Sequence, residues 1–378
     1  ARRRSLKVVP VERALASSRD RQPVPPVNKR RIRLMIVDDS VVARAVLSRM
    51  VESDDAFELA AVAGTAEDAI DALQSVRVDT ILLDLEMPGA GGLRSIPRIL
   101  DNACGAHIMI VSSMAEEGAE ETVAALALGA ADALPKPGTG RFNGRFSEIL
   151  LSRLRALGYA EDNRPAPVAP VGRVLQAPLR AMSTEAIQIL AIGATAGGID
   201  ALNSFFEALP RRIGVPILVT QHLPAPYMPV FAGQLGIAAK RQALVAEEGM
   251  ALLPDRVIIA PGDAHLLIVD GPEGPVVHLD RSASSSGCLP SLDPMFQSVG
   301  AVYGTAAAAV VLTGMGRDGV HGAARIVTAG GSILAQDEAS CAVWGMPRAV
   351  LEAGLACAVM PPDKLARRIA SRLGGDTC

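Results

Sequence analysis

Two groups of polar residues in this chain have the types and spacing to do chemistry. Asp38 and Asp39 directly follow the apolar run Ile32 to Val37, and Asp84 directly follows Thr80 to Leu83. If both runs are parallel strands, the three carboxylates share one carboxyl edge, which is where doubly wound sheets bind ligands. Carboxylates crowded there repel one another unless a hard divalent ion sits among them, and the oxygen preference of Mg²⁺ fits. Asp84 can then serve as a nucleophile towards a phosphoryl group. Ser112 ends the run His107 to Val111, and Lys136 follows a fifth short strand in Leu134-Pro135-Lys136-Pro137. Both reach the same edge, where the lysine would neutralise phosphoryl oxygens and the hydroxyl would hydrogen-bond the product. Helix caps and a solvated lysine explain any one of these residues, but not the whole set in register.

The second group is a hydroxyl, an imidazole and a carboxylate. Thr195 lies in Ile192-Gly193-Ala194-Thr195-Ala196-Gly197-Gly198, His222 in Thr220-Gln221-His222, and Asp318 in Thr313-Gly314-Met315-Gly316-Arg317-Asp318-Gly319. On one carboxyl edge these are the parts of a nucleophile, base and orienting acid, a relay that needs no cofactor. The glycines around Thr195 and Met315 permit tight turns and leave backbone N–H groups free to face an oxyanion. Spacing alone leaves a second account open: Gly-rich turns after strands are routine, Asp318 can cap a helix, and His222 can be structural. Nucleotide sites are disfavoured, since the first turn of this half lacks G-x-G-x-x-G and no G-K-[ST] occurs anywhere.

The elements that must position these residues are legible as alternating apolar runs and amphipathic stretches. Ile32 to Val37, Phe57 to Val62, Thr80 to Leu83 and His107 to Val111 read as buried parallel strands, with helices between them. Val42, Val46 and Met50 share a helical face, and Ser40 stands where an N-cap belongs. Four prolines between Asn163 and Pro178 predict an extended linker and a domain boundary. The alternation then restarts with Ile187 to Ile192, Val215 to Thr220, a hairpin-like stretch from Val257 to Leu279, and Ala307 to Thr313. The expected fold is therefore α/β throughout: a doubly wound five-stranded domain over 31–158, a linker over 159–182, and a second α/β domain with a mostly parallel sheet over 183–378.

Composition supports this. With 378 residues, 49% hydrophobic and 20% charged, the chain can bury two cores. Aromatics are only 3%, which counts against stacking on single-stranded nucleic acid. The net charge of −3 is uneven, because residues 1–33 hold eleven Lys or Arg against Glu12 and Asp20. Residues 1–30 are read as a basic, solvated, disordered tail. Five cysteines without a C-x-x-C pair oppose a disulfide framework or structural zinc and suit a reducing cytosol. The longest apolar run, Ala306 to Leu312, falls far short of the roughly 20 residues a spanning helix needs, so no membrane insertion and a cytoplasmic location are expected.

Residues 31–157 resemble the receiver domain of two-component response regulators. The matching pieces are Asp38-Asp39, Asp84 in Leu83-Asp84-Leu85-Glu86-Met87-Pro88, Ser112 and Lys136. The resemblance implies phosphorylation of Asp84 by a histidine kinase, with Asp39, Asp84 and the Glu86 backbone holding Mg²⁺ beside Asp38. It also marks two departures: Ala90-Gly91-Gly92 replaces the usual Met-Asp-Gly, and Ala133 stands at the aromatic switch position.

From Arg31 onward the whole chain resembles the chemotaxis response regulator protein-glutamate methylesterases. The motifs are Ile192 to Gly198, Thr220-Gln221-His222, Ile259-Ala260-Pro261-Gly262-Asp263, Pro290-Ser291-Leu292-Asp293, Leu312 to Gly319, Ala335-Gln336-Asp337-Glu338 and Gly345-Met346-Pro347. By that resemblance the nucleophile falls at Thr195, where the family has serine, the general base at His222, the orienting acid at Asp318 and the oxyanion donor at the Met315 amide. The implied activity is hydrolysis of methyl-glutamate side chains and deamidation of glutamines on methyl-accepting chemoreceptors, with the unphosphorylated receiver covering the site. Cys288-Leu289 replaces the family's polar pair before Pro290, and Cys288 is read as a buried, inert thiol.

Two rival readings remain at this stage. One is a non-catalytic, phosphorylation-regulated receptor-docking protein whose site is impaired by Thr195. The other is a DNA-binding regulator using the basic arm, opposed by the missing helix-turn-helix pattern and by the acidic balance of the rest of the chain.

Overall fold

The structure, a computed structural model, describes residues 30–88, 91–112, 116–137, 144–158 and 178–373. The basic stretch up to residue 29, Ala90, and residues 159–177 of the expected linker lie outside the described residues.

The N-terminal unit alternates strictly. Strands β1 (Ile32–Val37), β2 (Phe57–Ala63), β3 (Thr80–Leu83), β4 (His107–Ser112) and β5 (Asp132–Pro135) are each followed by a helix. These helices are α1 (Val41–Glu52), α2 (Ala66–Leu73), α3 (Gly92–Asn102), α4 (Glu116–Ala127) and α5 (Gly144–Gly158). The sheet is wholly parallel in the order β2-β1-β3-β4-β5. The strand order reverses between β1 and β3, so the two Asp-bearing turns flank the switch crevice. Ser40 caps α1 as the sequence predicts, its side chain accepting from the Ala43 amide at 3.3 Å.

The second unit is built the same way. Its strands are β6 (Ile189–Ala194), β7 (Ile217–Gln221), β8 (Ala243–Val245), β9 (Val257–Ile259), β10 (His265–Gly271), β11 (Gly274–Asp280), β12 (Ala307–Val311), β13 (Ser332–Gln336) and β14 (Ala358–Met360). Its helices are α6 (Gly198–Ala208), α7 (Met228–Ala239), α8 (Leu292–Tyr303), α9 (Val320–Thr328), α10 (Met346–Glu352) and α11 (Pro362–Ala370). Seven strands pair in the order β14-β13-β12-β6-β7-β9-β8, all parallel. The hairpin expected from Val257 begins only at His265. Strand β9 stays in the main sheet, and β10 and β11 form a separate antiparallel ribbon packed on α8.

Here too the order reverses at the centre, between β6 and β12. Both strands are buried along their whole length, as central parallel strands covered on two faces must be. Gly193 in β6 is the tightest point: a Cβ there would lie 1.8 Å from Leu292 Cδ2, itself fully buried at the start of α8. Gly193→Ala therefore overpacks the joint between sheet and helix and should cost about 1–3 kcal/mol, read as a lower urea midpoint. An unchanged midpoint would mean that Leu292 yields freely.

Candidate active site

The acidic pocket assembles as the sequence reading requires. Asp38 and Asp84 are buried at the ends of β1 and β3, Asp39 is exposed, and oxygens from all three lie within 4.8 Å of one another. Lys136 reaches in from the end of β5, its Nζ 2.6 Å from Asp84 Oδ2 and 2.9 Å from Asp38 Oδ2. Burial pushes the Asp84 carboxyl above its usual range, against the pull of Lys136. Burial disfavours the lysine's charge, yet its two carboxylates outweigh this and raise its pKa. Three close oxygen ligands fit a hard cation such as Mg²⁺. Ser112 is not turned to this group: its buried hydroxyl pairs with Thr122 on α4 at 2.9 Å.

In the second unit the turns after β6, β7 and β12 converge. Asp318 is 2% exposed and its oxygens are fully engaged: Ser291 Oγ donates to Oδ1 at 2.6 Å, while the Leu292 amide reaches Oδ2 at 2.8 Å. His222 Nε2 lies 3.0 Å from the same Oδ2. Burial alone would drive the imidazole neutral, but Asp318 and the neighbouring Cys288 override it and hold the His222 pKa at about 9. The Asp318 pKa is lowered despite the desolvation that opposes it, because His222, Ser291 and the Leu292 amide all favour its charge.

Thr195 is clamped. Its amide donates to Thr313 O at 3.0 Å, its carbonyl accepts Gln221 Nε2 at 2.8 Å, and its Oγ1 accepts the Met315 N–H at 2.9 Å. The amide expected at an oxyanion hole thus holds the hydroxyl itself. Among the described residues no hydrogen bond joins Thr195 to His222, although both face one cavity of about 300 Å³. Gly314 allows this close approach, since a Cβ there would sit 2.4 Å from Thr195 Oγ1. The bland alternatives therefore fail in part: Asp318 orients His222 besides pinning the start of α8 through Ser291 and Leu292.

The N-terminal unit forms the roof of this cavity. Asp132 on β5 and Ser152 and Arg153 on α5 line it opposite Thr195, His222 and Cys288. Arg153 is held there by Asp132 at 2.9 Å and by the Ala133 carbonyl at 2.9 Å. The Gly197 amide, beside Thr195, donates to the Ala131 carbonyl at 2.7 Å. Helix α4 packs against the short turn Ala225–Tyr227 and against α6 and α7. Tyr227 enters that seam with its phenol buried against Ser112 and Thr122, and burial raises its pKa. Among the described residues its oxygen finds no well-directed hydrogen-bond partner. Sequence reasoning missed Arg153, Tyr227, Gln221 and Ser291 as parts of the site. Ser291 and Gln221 carried a signal, within the quoted Pro-Ser-Leu-Asp and Thr-Gln-His motifs; Arg153 and Tyr227 carried none.

A phosphoryl-acceptor pocket fused to a hydroxyl-imidazole-carboxylate cluster defines a response regulator with a hydrolase-type output unit. The CheB methylesterase family profile matches residues 190–369, and the response regulator receiver domain profile matches 34–141. Protein-glutamate methylesterase/protein-glutamine glutaminase 2 of Caulobacter vibrioides is 39% identical over 90% of this chain and 99% of its own length. A group 2 operon relative from Rhodopseudomonas palustris is 37% identical over 91% and 95%. The crystal structure of the Thermotoga maritima CheB methylesterase catalytic domain is 33% identical, covering 49% of this chain and 98% of that one at a TM-score of 0.48. The chain belongs to the protein-glutamate methylesterase/protein-glutamine glutaminase family.

The raised His222 pKa has a thermodynamic consequence. Its folded value of about 9 exceeds the unfolded 6.5, so its contribution to stability is complete below pH 6.5 and is lost as pH rises through 9. Urea midpoints from pH 6 to 10 should converge for wild type and His222→Gln as the pH climbs through that window. A constant gap would place the histidine's ionisation elsewhere.

Proposed function

We propose that this chain hydrolyses glutamate methyl esters and deamidates glutamines on methyl-accepting chemoreceptors, under the control of a chemotaxis-type histidine kinase that phosphorylates Asp84. The observation that carries this reading is the His222–Asp318 pair facing the Thr195 cavity beneath the receiver roof. With Nε2 committed to Asp318, Nδ1 is the ring nitrogen left to accept the nucleophile's proton and later return it to methanol or ammonia. Thr195 takes the acyl group. As its oxygen moves to the ester carbon, the Met315 amide is freed to receive the carbonyl oxygen. Hydrogen bonds of this kind are often unformed before substrate arrives.

The same reading assigns the gate. Asp39, Asp84 and the Glu86 backbone, beside Asp38, would hold Mg²⁺, which when bound would neutralise phosphoryl oxygens. Lys136 would turn to those oxygens, and Ser112 would leave Thr122 to hydrogen-bond them. That movement would disturb the Tyr227 seam and lift Arg153 and α5 from the cavity. The units 31–158 and 183–378 are read as the moving parts. No helix among the described residues is long and apolar enough to cross a membrane.

Methanol release from methylated receptor tests this. Wild type should respond to an acyl-phosphate donor with Mg²⁺, whereas Asp84→Asn should not. Thr195→Ser, which removes the crowding methyl, should gain roughly 5- to 150-fold. An inert wild type rescued by serine would favour a docking role instead. A second experiment concerns the seam: Tyr227→Phe removes a buried oxygen lacking a directed partner and should raise basal release several-fold or leave it unchanged. A fall would show that the hydroxyl serves the active state.

A further inference from the structure

His222 has a second neighbour with nucleophilic chemistry. Cys288 lies in the loop joining β11 to α8, and its sulfur, an imidazole nitrogen and an Asp318 oxygen all lie within 4.8 Å of one another. It is half-buried and lines the same cavity as Thr195. The loop fixes it there: Ser284 Oγ donates to the Cys288 carbonyl at 2.8 Å, and Ser291, three residues on, is tied to Asp318. The expectation of an inert thiol fits neither this position nor this partner. The Thr195 oxygen is held by the Met315 amide, while the Cys288 thiol donates only weakly, to the Ser286 carbonyl at 3.9 Å, and so has less to give up before it turns to the imidazole.

We propose that Cys288 forms a second nucleophile–base pair with His222 and acts as an acyl acceptor alongside Thr195 in the ester hydrolysis assigned above. The inference rests on that assignment for its substrate, and on geometry alone for the pair. In the first step the Cys288 proton passes to His222 and the sulfur attacks the ester carbonyl. A C–S bond forms and the C–O bond to the methoxy group breaks. The departing oxygen takes the imidazolium proton, so methanol leaves and a thioester remains. Water then gives a proton to His222 and its oxygen attacks the thioester; the C–S bond breaks, the sulfur leaves as thiolate and retakes that proton from the imidazolium, and the glutamate carboxyl departs. Thiolate beside imidazolium is the state that makes cysteine a nucleophile, and Asp318 fixes the ring for either partner. Sulfur also escapes the constraint on Thr195, whose branched Cβ stiffens χ1.

Two measurements on the full chain test the pair. The first follows alkylation by iodoacetamide site by site, with exposed Cys104 as the internal reference. Cys288 should react at least tenfold faster than Cys104 at neutral pH, and His222→Ala should abolish that excess. Equal rates, or indifference to His222, would overturn the proposal. The second uses a peptide bearing glutamate methyl ester, with the acyl-phosphate donor present. Thr195→Ala should keep measurable methanol release, since the Met315 amide is then free for the carbonyl oxygen, and adding Cys288→Ala should remove it. An acid-quenched sample should carry a hydroxylamine-labile acyl group on Cys288. If Thr195→Ala is as inactive as His222→Ala, Cys288 is no acyl acceptor. If wild type releases no methanol while Cys288 keeps its His222-dependent reactivity, the ester substrate is wrong and the pair stands.

Discussion

The second unit is organised around one buried charge. Asp318 is 2% exposed, and a carboxylate at that depth is tolerated only if its lone pairs are met and its charge is balanced. Three groups meet them: the Ser291 hydroxyl, the Leu292 amide and the His222 ring. Two of these belong to the start of α8, so one carboxylate locks that helix to the turn after β12 and to the imidazole beyond β7. The stabilisation is mutual, since the aspartate holds the ring protonated to about pH 9. A protonated ring cannot accept another proton, so it takes a nucleophile's proton only after releasing its own. The described arrangement is therefore a resting one, in which the base is spent on structure.

A second constraint is topological. Each sheet reverses its strand order once, between β1 and β3 in the first unit and between β6 and β12 in the second, and each polar cluster sits at that reversal. The units meet so that β5 and α5 of the first cover the crevice of the second. The Gly197 to Ala131 hydrogen bond joins the turn beside Thr195 to the residue before β5, and Lys136 leaves the other end of that same strand. Only the short strand Asp132–Pro135 therefore separates the acid pocket from the roof of the hydrolase cavity. A switch needs no long pathway here, because a rigid four-residue strand touches both sites.

Much of this was legible before any coordinates. Parallel strands bury both faces and therefore read as continuous apolar runs, and the polar residue after each run marks the carboxyl edge. That logic located Asp38, Asp84, Lys136, Thr195, His222 and Asp318 without a packing argument. It failed where contacts join segments far apart in sequence. Arg153 looks like a solvated residue on an amphipathic helix, and its place over the cavity depends on how two units dock. Tyr227 follows prolines in a stretch with no periodicity, so nothing local tells that its phenol enters the other unit. The hairpin is misplaced by sequence because the short apolar run Val257 to Ile259 lies just ahead of the ribbon, while the central sheet claims it as a parallel strand. Cys288 was read as inert because burial is the common fate of thiols, and proximity to His222 is a tertiary fact.

The threonine at 195 can be understood from the same geometry. A serine hydroxyl rotates among three wells, whereas branching at Cβ restricts the χ1 of threonine, and here the Met315 amide rewards a single choice. Gly314 leaves just enough room for the oxygen on that side. The residue is thus poised as an acceptor towards the backbone and not towards the imidazole, and moving it means breaking a hydrogen bond worth about 1 kcal/mol net. That cost falls within reach of substrate binding, since a carbonyl oxygen arriving at the Met315 amide replaces the bond it displaces. On the proposed assignment the same exchange would leave the imidazole to whichever nucleophile is nearer, so the branching at position 195 and the thiol at 288 would act on one equilibrium: which heteroatom gives its proton to His222 when the ester enters.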